Sequence, residues 1–249
     1  MLRKTLLIIF PAIIIVSAIS VLFYSFTLRN QNDKTKITNM TINKPIVKWQ
    51  KTTITITEEK RKMAVDINAP KVITPGNYDL DSEINKVIRR RIESLKDDFI
   101  SAVNTAAEDN GETNILNVDT EVLLITPRLI SLAFTTTEHL AGINDNEPER
   151  TFIIFDLVKG ELMVEGNEMF RDDIAWSRAV KMMKNYLLAD YQGDPSCDLL
   201  FAPKHNGFNA SCIGVDWSRG GKHLSIMGDI SMSMIQEFLA PSVLSDIIQ

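Results

Sequence analysis

The sequence predicts an α+β domain, a mainly antiparallel sheet with two longer helices, preceded by one N-terminal transmembrane helix. Three observations predict it. A charge-free apolar run fills residues 5–26, and two later stretches repeat apolar residues at three- and four-residue steps. The rest alternates apolar with polar residues in short segments bounded by turn residues. Helices interspersed with hairpin-linked strands make an α+β arrangement.

The apolar run follows Arg3 and Lys4 and holds 22 uncharged residues, enough for a helix to span the ~30 Å hydrocarbon layer. Pro11 and Tyr24 fall near its two ends, where an interface tolerates a lost backbone hydrogen bond and favours an aromatic ring. A cleaved signal peptide is the competing reading, with Val16, Ser17 and Ala18 as the cleavage site. The run continues eight residues past Ala18, however, longer than secretory cores extend, which favours an uncleaved anchor. The expected order is a cytoplasmic tip at 1–4, an anchor at 5–26, a polar stalk at 27–48 and an extracytoplasmic domain at 49–249. The expected location is therefore a cell membrane crossed once, with the N-terminus cytoplasmic.

Of 249 residues, 45% are hydrophobic and 24% charged, a balance that suits a folded core. Setting aside Arg3 and Lys4 leaves 25 basic against 32 acidic residues, a net charge near −7 for the exported part. That sign disfavours nucleic acid and anionic lipid headgroups as partners and favours a basic protein or cationic polymer.

In chain order, residues 52–57 and 62–68 alternate as two strands joined by the charged loop 58–61, with Pro70, Pro75 and Gly76 ending the unit. A long helix follows, its apolar stripe running from Ile84 through Ile88, Phe99 and Val103. Asp79 or Asp81 is the expected cap and Gly111 the terminator, while the run Arg89-Arg90-Arg91 reads as a solvated face. Residues 115–125, 129–137 and 151–158 read as strands, and Lys159-Gly160 as a turn into a short strand at 161–164. A second amphipathic helix is expected over 172–191 with Ile174, Val180, Met183 and Leu187 on one stripe. Closing strands at 199–203, 208–217 and 224–231 lead to a short helix near 232–239.

The chemistry is sparse. His139, His205 and His223 lack the spacing of a helical zinc site, and two cysteines cannot build a four-cysteine cage. There is no glycine-rich phosphate cradle and no nucleophile-elbow motif, so no metal and no cofactor is expected. Glu138 and His139 together suggest acid–base work, yet neighbours on a strand point to opposite faces. Met182, Met183, Met232 and Met234 read as core filler. Cys197 and Cys212 flank a hairpin turning at residues 204–207. In an exported chain that placement favours a disulfide over two buried thiols.

The element order, with Ile84-Asn85 and Phe99 on the long helix, the strand 129–134 (Leu-Ile-Ser-Leu-Ala-Phe), residues 155–162 (Phe-Asp-Leu-Val-Lys-Gly-Glu-Leu) and Met169-Phe170, resembles a known bacterial domain. That domain of unknown function is shared by RsiV-type anti-sigma factors and the N-terminal part of PdaC-type peptidoglycan deacetylases. The resemblance covers about residues 50–245. Where the family carries Gly-Ala-His between two of these strands, this chain has residues 140–146, with His139 before the glycine. The candidate binding residues here are Glu138, His139, Asn144 and Asp145.

The resemblance implies a non-catalytic binding or sensing module of the cell envelope, whose ligand is a lysozyme-like protein or a cell-wall glycan. The expectation is a module without the sigma-binding segment, because only four residues precede the apolar run, and without the deacetylase domain that follows in the enzyme version. Two other classes compete. One is a cell-wall hydrolase or deacetylase using His139, Glu138 or His223 as acid–base groups, and the other is a structural subunit of an envelope complex.

Overall fold

A computed structural model describes residues 44–58, 61–106, 111–142, 147–164, 166–193, 195–216, 218 and 222–248. The expected anchor at 5–26 and most of the expected stalk lie outside these residues. Among the described residues, no helix is long and apolar enough to cross a membrane.

The described residues form a mixed α+β structure dominated by antiparallel sheet, with four α-helices. Strands β1 (Ile46–Glu58) and β2 (Arg61–Ile73) form the first hairpin, and β1 begins three residues inside the expected stalk. Helix α1 (Tyr78–Ala106) then carries the chain to β3 (Thr113–Ile125), which pairs parallel with β2. This β–α–β crossover is the one departure from antiparallel pairing among the described strands. Strands β4 (Leu129–His139), β5 (Glu149–Asp156) and β6 (Glu161–Leu162) complete a six-stranded sheet in sequence order. After α2 (Asp173–Leu187), β7 (Pro195–Lys204), β8 (Gly207–Asp216) and β9 (Lys222–Ser231) form a separate three-stranded sheet. Two short helices follow, α3 (Met232–Ile235) and α4 (Pro241–Ile248). The last lies beyond the expected end helix. Its signal was Pro241 at the first helical position, where the missing N–H costs nothing.

The two sheet faces are covered by different things. Helix α1 buries Leu80, Ile84, Ile88, Phe99 and Val103 over Met63, Val65 and Ile67 of β2 and Leu116 and Val118 of β3. Each such side chain contributes roughly 1.5–3 kcal/mol of transfer free energy. The opposite face packs on the small sheet, where Leu129 and Ile154 join Phe201, Phe208, Ala210 and Met183 in one core. Strand β4 is therefore buried at every position from Leu129 to Phe134, as a strand covered on both sides must be. A bulge between Val122 and Leu124 on β3 moves Leu124 from the helix face to the small-sheet core.

Several local expectations change in the structure. Pro70 does not end β2. Pairing with β3 stops at Asn68, so Pro70 lies where β2 is an edge and interrupts no ladder on that side. Asn77, not Asp79 or Asp81, caps α1 by accepting from the Leu80 N–H at 3.1 Å; Asp81 instead accepts from the Thr74 N–H. Asn85 reads the same edge, accepting from the Val72 N–H at 2.9 Å and donating to its carbonyl at 2.7 Å. In the arginine run Arg89 and Arg90 are exposed, but Arg91 donates to Thr151 Oγ1 at 2.8 Å and burial lowers its pKa. On α2 the buried stripe is Ala175, Ala179 and Met183, and Ile174 is 66% exposed. The helix is capped by Asp172, which accepts from the Ala175 N–H at 2.7 Å.

Candidate functional site

Cys197 and Cys212 form a disulfide with Cα atoms 5.5 Å apart. Lys204 pairs with Gly207 and Phe201 with Ala210, so the hairpin turns at His205 and Asn206, the latter in the left-handed region at φ 60°. That register sets Cys197 opposite Gly214, two residues from Cys212. A Cβ at position 214 would fall within 2.6 Å of Cys197 Cα, so glycine permits the close approach. Lys184 of α2 donates to the Cys197 carbonyl at 2.7 Å and ties the hairpin to the helix.

The candidate binding residues divide. Asn144 and Asp145 lie outside the described residues. Alternation along β4 turns Glu138 toward the α1 face and His139 toward the other, so the two do not act as a pair. Glu138 instead joins a charged group at the free end of β5. His223 Nε2 lies 2.8 Å from Glu149 Oε1, and next to it Ser225 Oγ donates to the Pro148 carbonyl at 2.6 Å. Burial raises the Glu138 pKa, and the charges of Glu149 and Asp98 raise it further. The His223 pKa is also raised, first by its hydrogen bond to Glu149 and then by the charges of Glu149, Glu147 and Glu138. Sequence reasoning named Glu138 and His223 among acid–base candidates; it did not foresee Glu149, which holds His223 in an ion pair.

A second site was not foreseen. The small sheet covers only part of its side of the large sheet, and across β1 to β4 the uncovered part is polar. Register aligns Thr53, Asp66, Asn117 and Thr137 in one row and Lys51, Asn68, Asp119 and Thr135 in the next. Neighbouring strands lie about 4.8 Å apart, so each row crosses about 14 Å. Lys51, Asp66, Asn68, Asn117, Asp119 and Thr137 of these rows line a cleft of about 300 Å³. Lys51 Nζ lies 3.1 Å from Asp66 Oδ2, and Thr53 Oγ1 donates to Asp66 Oδ1 at 3.2 Å. Asn68, Asn117, Asp119 and Thr137 keep their side-chain hydrogen-bonding groups free of protein partners among the described residues. Alternation places His139 on this face at its end, opposite Ile115. The signal in the sequence was the spacing Asp66-x-Asn68 and Asn117-x-Asp119, two polar pairs each on one face of a strand.

No family profile matches the chain, and no curated protein matches it. Solved structures do. The chain is similar to a DUF3298 family member from Bacteroides fragilis NCTC 9343 at 10% identity, covering 82% of this chain and 97% of that one with a TM-score of 0.51. It also matches a DUF3298 family protein from Pseudomonas aeruginosa PAO1 at 14% identity, covering 80% and 95% with a TM-score of 0.48. At such identity the first likeness shows a shared fold, that of a DUF3298 domain.

Proposed function

We propose that the chain is a membrane-anchored, extracytoplasmic binding module of the bacterial cell envelope that holds its ligand without turning it over. The observation that carries this reading is the open polar face of β1 to β4, whose amides, hydroxyl and carboxylate are free to meet a ligand. The disulfide supports an oxidising compartment, since such bonds persist outside the cytosol. The charge-free run at 5–26 supports an anchor. An acidic balance supports a protein or cell-wall ligand over nucleic acid.

The hydrolase or deacetylase reading rests on Glu138 and His223, which share the cluster around Glu149. That cluster joins two layers of the fold: the histidine comes from β9 and its carboxylate partners from β4 and β5. The test uses the full chain in detergent, mixed with cell-wall fragments and with lysozyme. Retention of either without release of acetate or reducing sugar is the expected result. Turnover that disappears in His223→Ala overturns the binding reading. Topology is tested by protease added to intact spheroplasts, which should remove everything beyond about residue 30, given the length of the span. Protection of the C-terminal part overturns the anchor.

A further inference from the structure

We propose that the ligand of the β1–β4 face is a neutral, hydroxyl-rich glycan, held by Trp49 together with Asn68, Asn117, Asp119 and Thr137. This rests on the binding-module reading and names the ligand class for that site. Trp49 pairs with Pro70 on the same side of the hairpin as Lys51 and Thr53, so its indole belongs to the cleft's face. It is two residues, about 7 Å of strand, from the Lys51 row. Trp49 is 51% exposed, so part of its indole is open for a ligand to contact.

The chemistry of this face selects among ligands. Asn68 and Asn117 each offer two donors and an acceptor, Thr137 offers both, and Asp119 accepts. Sugar hydroxyls and acetamides also donate and accept, so this set can satisfy them without a counter-charge. Asp66 is neutralised by Lys51, and Glu121 by Arg150 on β5. That leaves Asp119 as the carboxylate of this face without a counter-ion among the described residues. So weak a charge suits neither a polyanion nor a strongly basic protein. A flat indole beside the polar rows supplies the apolar platform on which the C–H face of a pyranose ring stacks, as amphipathic aromatics do at half-wet contacts. Two rows of four residues and an offset ring make an elongated site, matched to an oligosaccharide and too open for a single small metabolite.

Calorimetric titration of the full chain in detergent with the soluble hexamer of N-acetylglucosamine tests the assignment. Maltohexaose and the deacetylated, cationic glucosamine hexamer serve as comparison probes. The expected result is binding of a neutral oligomer, weakened about tenfold by Trp49→Ala, a loss equal to about 1.4 kcal/mol. Asn117→Ala should weaken it several-fold, and Tyr78→Ala should leave it unchanged because that exposed ring lies on α1. Asn117 is exposed and Trp49 half-exposed, so both variants should stay folded at the titration temperature, which a melting curve verifies. Binding that ignores Trp49→Ala overturns the site. Failure of both neutral oligomers, with lysozyme still held through Trp49, overturns the glycan and leaves the binding module standing. Failure of every probe overturns both.

Discussion

His223 at the start of β9 and Glu149 at the start of β5 are an ion pair between the two sheets, with Nε2 and Oε1 2.8 Å apart. Strand β6 covers only Phe155 and Asp156, which leaves the other end of β5 as an edge. Residues 223–225 of β9 lie along that edge, where Ser225 also bonds Pro148 and Glu147. The pair therefore fastens the small sheet beside Glu147 and Pro148, just ahead of β5.

The pH dependence of this fastening has a definite sign. Glu149 hydrogen-bonds the imidazolium, and the charges of Glu149, Glu147 and Glu138 add to it, raising the His223 pKa above its ordinary 6.5. A raised histidine contributes fully below its ordinary pKa and loses that contribution as pH rises through the raised one. His223→Gln should therefore lower the melting temperature at about pH 5 and leave it near wild type at about pH 9. Melting curves at the two pH values decide it, and an equal loss at both would show that packing, not charge, is what His223 supplies.

Glu138 should behave in the opposite sense as a substitution. Burial, then Glu149 and Asp98, raise its pKa, so the folded state disfavours the ionised form. The resulting destabilisation is absent at low pH and grows as pH rises through the raised value. Glu138→Gln should raise the melting temperature at about pH 8 and change it little at about pH 3.

The disulfide closes a loop with a sequence separation of 15. By loop-closure entropy, Cys197→Ser with Cys212→Ser should cost about 3 kcal/mol of unfolding free energy. Urea titration of the double variant measures it. Non-reducing mass spectrometry of protein taken from the envelope should find the two cysteines linked, and two freely alkylated thiols would contradict the exported location.

Asn85 occupies the backbone of Val72 on the edge that β3 leaves open. Asn85→Ala leaves a buried N–H and carbonyl without partners, at a cost of about 2 kcal/mol. Hydrogen exchange at Val72 should accelerate more than exchange at Val65 in the middle of the strand. Equal acceleration would indicate general destabilisation.

Some of this was legible in the residues themselves. Period-two alternation marked β3, β4 and the three closing strands, and the turn at His205 and Asn206 fixed the register that joins Cys197 to Cys212. These features depend on contacts a few residues apart, where spacing and turn chemistry decide the outcome. The stripe of α1 was equally plain, because a 3.6-residue period needs no knowledge of what it will cover. What those local signals left open was settled by pairings between distant segments. The parallel register of β2 with β3 is set by how far α1 carries the chain, and no local residue encodes it. Only that register lines up Asp66 with Asn117 and Asn68 with Asp119, turning two separate polar alternations into one face. The ion pair of His223 with Glu149 likewise joins residues 74 positions apart, brought together by sheet-on-sheet packing that buries apolar surface without regard to sequence distance. Local periodicity thus determined the elements, and long-range burial decided which polar residues face one another.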